Sequence, residues 1–105
     1  NYQFYKMTEV ESELTFPIPG QLSLQHSCKL AITEDRPIML DYWTDSHDGK
    51  IVIGVRENGE KLLVKNEDEY TSPISKIYKV DQEYIIITEN SLYLVSSKIS
   101  TRRIS

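Results

Sequence analysis

The sequence predicts a small all-β domain, an antiparallel barrel or sandwich built on a β-meander, with at most one short helix in its N-terminal third. Three observations predict it. Alanine occurs once, at Ala31, beside 12 Ile, 6 Val, 7 Thr, 7 Tyr, 2 Phe and 1 Trp, so β-branched and aromatic residues fill 35 of 105 positions. Such side chains lose χ1 freedom against a preceding helical turn but pack well on a pleated surface. From Pro37 onward, apolar and polar residues alternate over short runs, the period-two signature of strands. Turn chemistry separates those runs at Asp48-Gly49, Asn58-Gly59, Asp81-Gln82 and Asn90-Ser91, the spacing of a sandwich or barrel.

The elements follow in order. Tyr2 to Met7 reads as a strand, Glu9-Val10-Glu11-Ser12-Glu13 as an acidic polar stretch. Phe16-Pro17-Ile18-Pro19-Gly20 reads as a rigid linker or edge segment; residues 1–20 as a whole are loosely patterned. Leu22, Leu24, His26, Cys28, Leu30 and Ile32 then occupy every even position. A helical stripe would collect Leu24, Cys28 and Ala31 but would bring Asp35 onto the same face. Period two fits better, and a strand is predicted over 22–33, with a short helix within 9–33 as the alternative.

Glu34 to Pro37 turns the chain into a strand over Pro37–Thr44, and Asp45 to Gly49 into the next over Ile51–Val55. Gly54 inside that strand marks a bulge or a close approach. Asn58-Gly59 between apolar runs predicts a hairpin closed by a type I′ turn, with Lys61–Lys65 as its second strand. An acidic loop, Glu67-Asp68-Glu69, leads towards strands at Ile74–Val80, Tyr84–Thr88 and Leu92–Ser96. The connections are too short for helical crossovers, so antiparallel pairing is expected throughout the meander of residues 37–97. The basic tail of residues 98–105 reads as a frayed terminus.

A length of 105 residues points to a single domain over 1–105. With 27% charged and 39% hydrophobic residues, the chain is neither a disordered tail nor a membrane protein. Apolar clusters such as Leu62–Val64 and Tyr84–Ile87 are far too short for a transmembrane helix, and no secretory leader is evident. One cysteine, Cys28, excludes an internal disulfide and a Cys-rich metal module, and favours a reducing cytoplasmic setting. The net charge is −4. Residues 1–60 carry 10 acids and 5 bases and residues 61–105 carry 6 and 7, so neither half is the basic footprint that phosphate binding requires.

No catalytic constellation emerges. Gly-x-Ser-x-Gly, a phosphate loop, His-Glu-x-x-His and a dinucleotide fingerprint are all missing. His26 and Cys28 lie on one stripe of the predicted strand, which makes Cys28 a buried, inert thiol rather than a nucleophile. His47 with Asp45 and Asp48 forms ordinary turn composition, and neither a metal nor a cofactor is expected. The run Asp35 to Trp43 resembles the strand that precedes the redox motif of thioredoxins, over nine residues. No Cys-x-x-Cys follows it, and the resemblance implies nothing further.

Tyr84-Ile85-Ile86-Ile87 and Leu92-Tyr93-Leu94-Val95 are apolar on both faces, which implies two buried faces, covered by the chain itself or by a partner. The leading expectation is therefore a non-enzymatic binding or regulatory module acting through a protein partner or through self-association as a homodimer. Tyr42, Trp43 and Tyr93 are the candidate binding residues, because Tyr and Trp dominate interface hot spots. A small barrel that stacks single-stranded nucleic acid on its tyrosines is the second reading. A small enzyme or metal site around Asp41, Asp45, His47 and Asp48 is the third.

Overall fold

A computed structural model describes residues 17–105. The strand expected at Tyr2–Met7, the acidic stretch Glu9–Glu13 and Phe16 lie outside the described residues. The architecture is sandwich-like, β-rich with one substantial helix: two open four-stranded sheets rather than a closed barrel. Helix α1 spans Gln21–Glu34 and α2 spans Trp43–His47. The strands are β1 (Ile38–Met39), β2 (Val52–Val55), β3 (Lys61–Asn66), β4 (Glu69–Tyr70), β5 (Ile74–Val80), β6 (Glu83–Thr88), β7 (Leu92–Ser96) and β8 (Ser100–Arg103). Sheet A runs β1-β7-β6-β5 and sheet B runs β4-β3-β2-β8.

Sheet A is organised by the β6–β7 hairpin, whose two faces are both buried. Cross-strand partners share a face of a sheet. Ile85 and Leu94, and Ile87 and Leu92, are such partners on one face, where they pack with Trp43, Leu30 and Ala31. Ile86 and Tyr93, and Tyr84 and Val95, occupy the other, where they meet Ile51, Ile53, Leu63 and Tyr42. The apolar-on-both-faces pattern is thus satisfied within the chain, by α1 on one side and sheet B on the other. A short turn closes the hairpin: the Thr88 hydroxyl accepts hydrogen bonds from the N–H groups of Asn90 and Ser91.

Residues 22–33 correct the sequence reading, since they are helical and not a strand. The stripe turned to the sheet is buried Ser23 and Ser27 with half-buried Leu30, Ala31 and Glu34, spaced by three and four residues, while Leu22, Leu24, Cys28 and Ile32 face outward. Small side chains at Ser23 and Ser27 sit at 1% and 0% exposure. Asp35, the residue that spoke against a helical stripe, is the C-cap: it takes φ 54° and donates its N–H to the Ala31 carbonyl, the left-handed stop that ends many helices. Cys28 is exposed rather than buried for the same reason. At the other end the Gly20 N–H donates to the Glu83 carboxylate at 3.1 Å, and the next chain segment back is pinned where Trp43 Nε1–H donates to the Pro17 carbonyl at 2.8 Å.

The strand expected over Pro37–Thr44 shortens to Ile38–Met39, and α2 follows it. Two neighbouring aromatics cause the change. Tyr42 enters the core cluster between the sheets while Trp43 enters the one under α1. Ser46 locks the short helix in place: its hydroxyl donates to the Trp43 carbonyl at 2.6 Å and accepts from the Ser96 N–H at 2.9 Å.

Pairing is not antiparallel throughout. β1 runs parallel to β7, and β2 runs parallel to β8. Both parallel pairs join strands far apart in sequence, so the intervening chain serves as the crossover that parallel pairing requires. The tail expected to fray is β8, with Ile104 N–H donating to the Val55 carbonyl at 3.0 Å. The Asn58-Gly59 hairpin forms, but its turn differs from type I′. Arg56 C=O accepts from the Gly59 N–H, Arg56 and Glu60 close the loop, and only Gly59, at φ 88°, is left-handed. That is the three-residue loop with a bulge glycine.

Gly54 marks a close approach and not a bulge; the register shifts lie at Val64/Asn66 and Ile74/Lys76. A Cβ on Gly54 would come within 2.8 Å of Ile104 Cδ1 and 2.9 Å of Val64 Cγ2. Two predictions follow from this packing. Gly54→Val should displace Ile104 and cost about 1–3 kcal/mol, the usual range for overpacking, read by chemical denaturation and by faster amide exchange in β8. Ser23→Ala should stabilise by about 1 kcal/mol, because the Ser23 hydroxyl is buried without a partner and an unsatisfied buried hydroxyl costs that much or more; an unchanged or lower melting midpoint would contradict it.

Candidate functional site

The residues proposed from sequence gather at the junction of α2 with the two sheets. Tyr42 and Trp43 are 3% and 4% exposed, so they serve as core residues and present no face for stacking. Tyr93 is half-buried, with its ring centroid 5.4 Å from that of Tyr42. Trp43 instead meets His47 edge-on at 4.4 Å. Asp41, His47 and Asp48 are exposed. Asp45 is bound by Lys65 Nζ at 2.9 Å, and Lys65 also reaches Glu69 at 3.6 Å and lies 5.9 Å over the Tyr42 ring.

Electrostatics make this cluster a fastening. The hydrogen bond from Lys65 holds the Asp45 carboxyl below its ordinary range, and the same bond holds the Lys65 ammonium above its own. Burial pushes the Tyr42 phenol from 10.0 up to about 12, with the Glu69 carboxylate, the Tyr93 phenol and Asp41 adding to the effect. Tyr93 is raised by burial and then by Asp41, against an opposing hydrogen bond with Ser91. Both phenols stay protonated at neutral pH. The ion pair ties α2 to β3 and β4, and Asp45 and His47 do not converge with a third donor. Among the described residues no three His, Cys, Asp or Glu side chains gather as metal ligands. No helix among them is long and apolar enough to cross a membrane.

A different feature stands open, one that the sequence reading did not single out. α1 lies over β6 and β7, and β5 forms the edge of sheet A beyond its cover. Five consecutive β5 residues, Ser75 to Lys79, are exposed, including Ile77 at 38% and Tyr78 at 40%. Between α1 and β5 runs a groove of about 510 Å³ with a floor of Tyr78, Val80 and Ile85 and a wall of His26, Lys29, Leu30 and Thr33. Tyr78 faces the groove because it pairs with Ile85, whose side chain is under α1. The adjacent apolar pair Ile77-Tyr78, flanked by Lys76 and Lys79, was the available signal in the sequence: one apolar residue on each face of a strand that also carries edge-protecting lysines.

The other sheet edges differ. β1 and β4 are two residues long, and β8 exposes only Ser100, Thr101, Arg102 and Arg103. A second groove, of about 550 Å³, lies on the outer face of sheet B between Tyr70, Val64 and Ile104, with the Arg56 guanidinium 5.9 Å over the Tyr70 ring.

The Tyr42 environment has a measurable consequence. Above pH 10.0 an unfolded chain releases the phenolic proton while the folded chain keeps it up to about 12, so the unfolded state gains and stability falls as pH rises through that window. Tyr42→Phe should flatten this alkaline limb when melting temperature is followed against pH, and a limb equally steep in the variant would contradict the assignment. No protein-family model matches this chain, and no curated protein or solved structure matches it either, so a functional reading rests on the geometry described above.

Proposed function

We propose that this chain is a non-enzymatic binding module that takes a polypeptide partner at the open edge of sheet A, along β5 and the groove beside α1. One observation carries the reading. Among the described residues β5, at seven residues, is the longest strand, and its exposed stretch pairs apolar side chains with a backbone edge that no described strand shares. An unpaired edge offers a row of N–H and C=O groups to an incoming strand, and neighbouring pockets supply side-chain selectivity. The lone Cys28 favours a reducing, cytoplasmic setting for such a module.

The alternatives have less to support them. For single-stranded nucleic acid, the exposed tyrosines Tyr70 and Tyr78 sit on different sheets, and the remaining described aromatics are buried or half-buried. For an enzyme, Asp45 is engaged by Lys65, and the adjacent Ser46 hydroxyl is buried and taken up by the Trp43 carbonyl and the Ser96 N–H. Self-association remains a form of the same reading, with a second copy as the polypeptide.

The test is a pull-down from native lysate, treated with nuclease, comparing the wild-type chain with Tyr78→Asp and with Tyr70→Asp. Both substitutions are at exposed positions and should change stability by less than about 0.5 kcal/mol. The expected result is a stoichiometric protein retained by wild type and Tyr70→Asp and lost with Tyr78→Asp. Equal recovery by all three, or recovery that nuclease abolishes, would refute the β5 site.

A further inference from the structure

We infer that the occupant of this edge is an extended acidic–apolar peptide segment of another protein, added as a strand beside β5 with carboxylates opposite Lys76 and Lys79. The inference rests on the reading of β5 as a docking edge and adds the chemistry of the partner. β5 carries two lysines and no acid, in a chain whose net charge is −4. The acids nearest the edge are engaged: Glu34 with Lys76 at 3.9 Å, and Glu83 with the Gly20 N–H. Asp81 sits in the turn at the far end, at φ 53°. Lys29 and Lys79 make no ion pair with a described residue.

The two lysines lie on opposite faces of the strand. Lys76 pairs with Ile87 on the α1 side, and Lys79 pairs with Tyr84 on the side of sheet B. Between them Ile77 and Tyr78 likewise face opposite ways. An incoming strand therefore meets a lysine and an apolar side chain on each face, so the matching segment runs acid-apolar-apolar-acid, its two carboxylates three residues apart and on opposite faces. A second copy of β5 fits poorly. A two-fold antiparallel pairing centres on a residue: centred on Ile77 it brings Lys76 of the two copies to diagonal positions on one face, and centred on Tyr78 it does the same for Lys79, about 7–8 Å apart and within reach of two long side chains of like charge. A basic segment meets the same repulsion. On the α1 side, Lys29 and His26 line the groove wall above an apolar floor, which suits a partner side chain that is apolar at its base with a carboxylate near the rim.

The experiment titrates the full chain into a fluorescein-labelled extended peptide built on a Glu-Val-Leu-Glu core, its counterpart with Lys in place of Glu, and a single-stranded oligonucleotide. Anisotropy reports affinity, and amide exchange reports which strand is protected. The acidic peptide should bind, weaken with added salt, and protect the amides of β5. Lys76→Glu with Lys79→Glu should weaken it by roughly tenfold or more, for two reversed cross-strand charge pairs, while binding the Lys peptide better than wild type does; a thermal melt checks that the doubly substituted chain is folded. If both peptides protect β5 with equal affinity, the acidic preference is wrong and the docking edge stands. If no peptide protects β5, the edge reading itself falls. Tighter binding of the oligonucleotide than of the acidic peptide overturns the peptide assignment in favour of a nucleic acid.

Discussion

Burial of both faces of the β6–β7 hairpin is the constraint on which the rest of the structure depends. Ile85, Ile86, Ile87, Leu92, Leu94 and Val95 are all at 0% exposure. No single layer can hide a sheet on two sides, so a small chain must supply a cover for each. Sheet B, through Ile51, Ile53 and Leu63, covers one side; α1, through Leu30 and Ala31, covers the other. α2 contributes to both clusters by sending Trp43 one way, while Tyr42 just before it goes the other. The consequence reaches the surface. Two strands receive full cover, and β5, next in the sheet, is left with side chains of both faces exposed and one backbone edge open.

The manner of helix packing explains where the uncovered surface lies. α1 meets the sheet with Ser23, Ser27 and Ala31, which occupy little width, and Leu30 is the one large apolar side chain on that stripe. Leu22, Leu24 and Ile32 point outward instead. The polar fastenings act around this packing. Glu83 holds the start of α1, Glu34 reaches Lys76 at its end, and Lys65 joins α2 to sheet B through Asp45. Exposed pairs of this kind add little stability individually, and their effect here is positional: they fix the helix relative to β5 and so set the width of the groove.

Edge strands are ordinarily protected by charge, bulges or brevity, and every edge in this fold uses at least one of these. β1 and β4 are short, β8 carries Arg102 and Arg103, and β5 carries two lysines and a register shift at Ile74/Lys76. What separates β5 is the combination of protection against its own kind with exposed Ile77 and Tyr78 and a groove alongside. On the proposed reading, lysines that repel a second copy attract a segment of opposite charge, and protection and selectivity then arise from the same two side chains.

Local chemistry made much of the β-region readable. Ile74–Val80 and Leu92–Ser96 emerge with the predicted boundaries, because alternation and turn residues act within a few positions of each other. The Asn58-Gly59 hairpin was legible, though not its turn type, which depends on the register of β2 against β3. The β-rich fold class and the need for two buried faces were likewise determined by the sequence alone, whereas the choice of an open sandwich over a barrel was not. Tertiary structure decided the rest. Residues 22–33 carry their apolar side chains mostly on the outside, so no periodicity could announce the buried serine stripe. Tyr42 and Trp43, attractive as interface aromatics, are consumed by the core, and β8 exists only because β2 offers it an edge. The open edge on β5 is of the same kind: whether a strand lies inside a sheet or at its margin depends on contacts between segments far apart in the chain, and those are made only when the whole molecule packs.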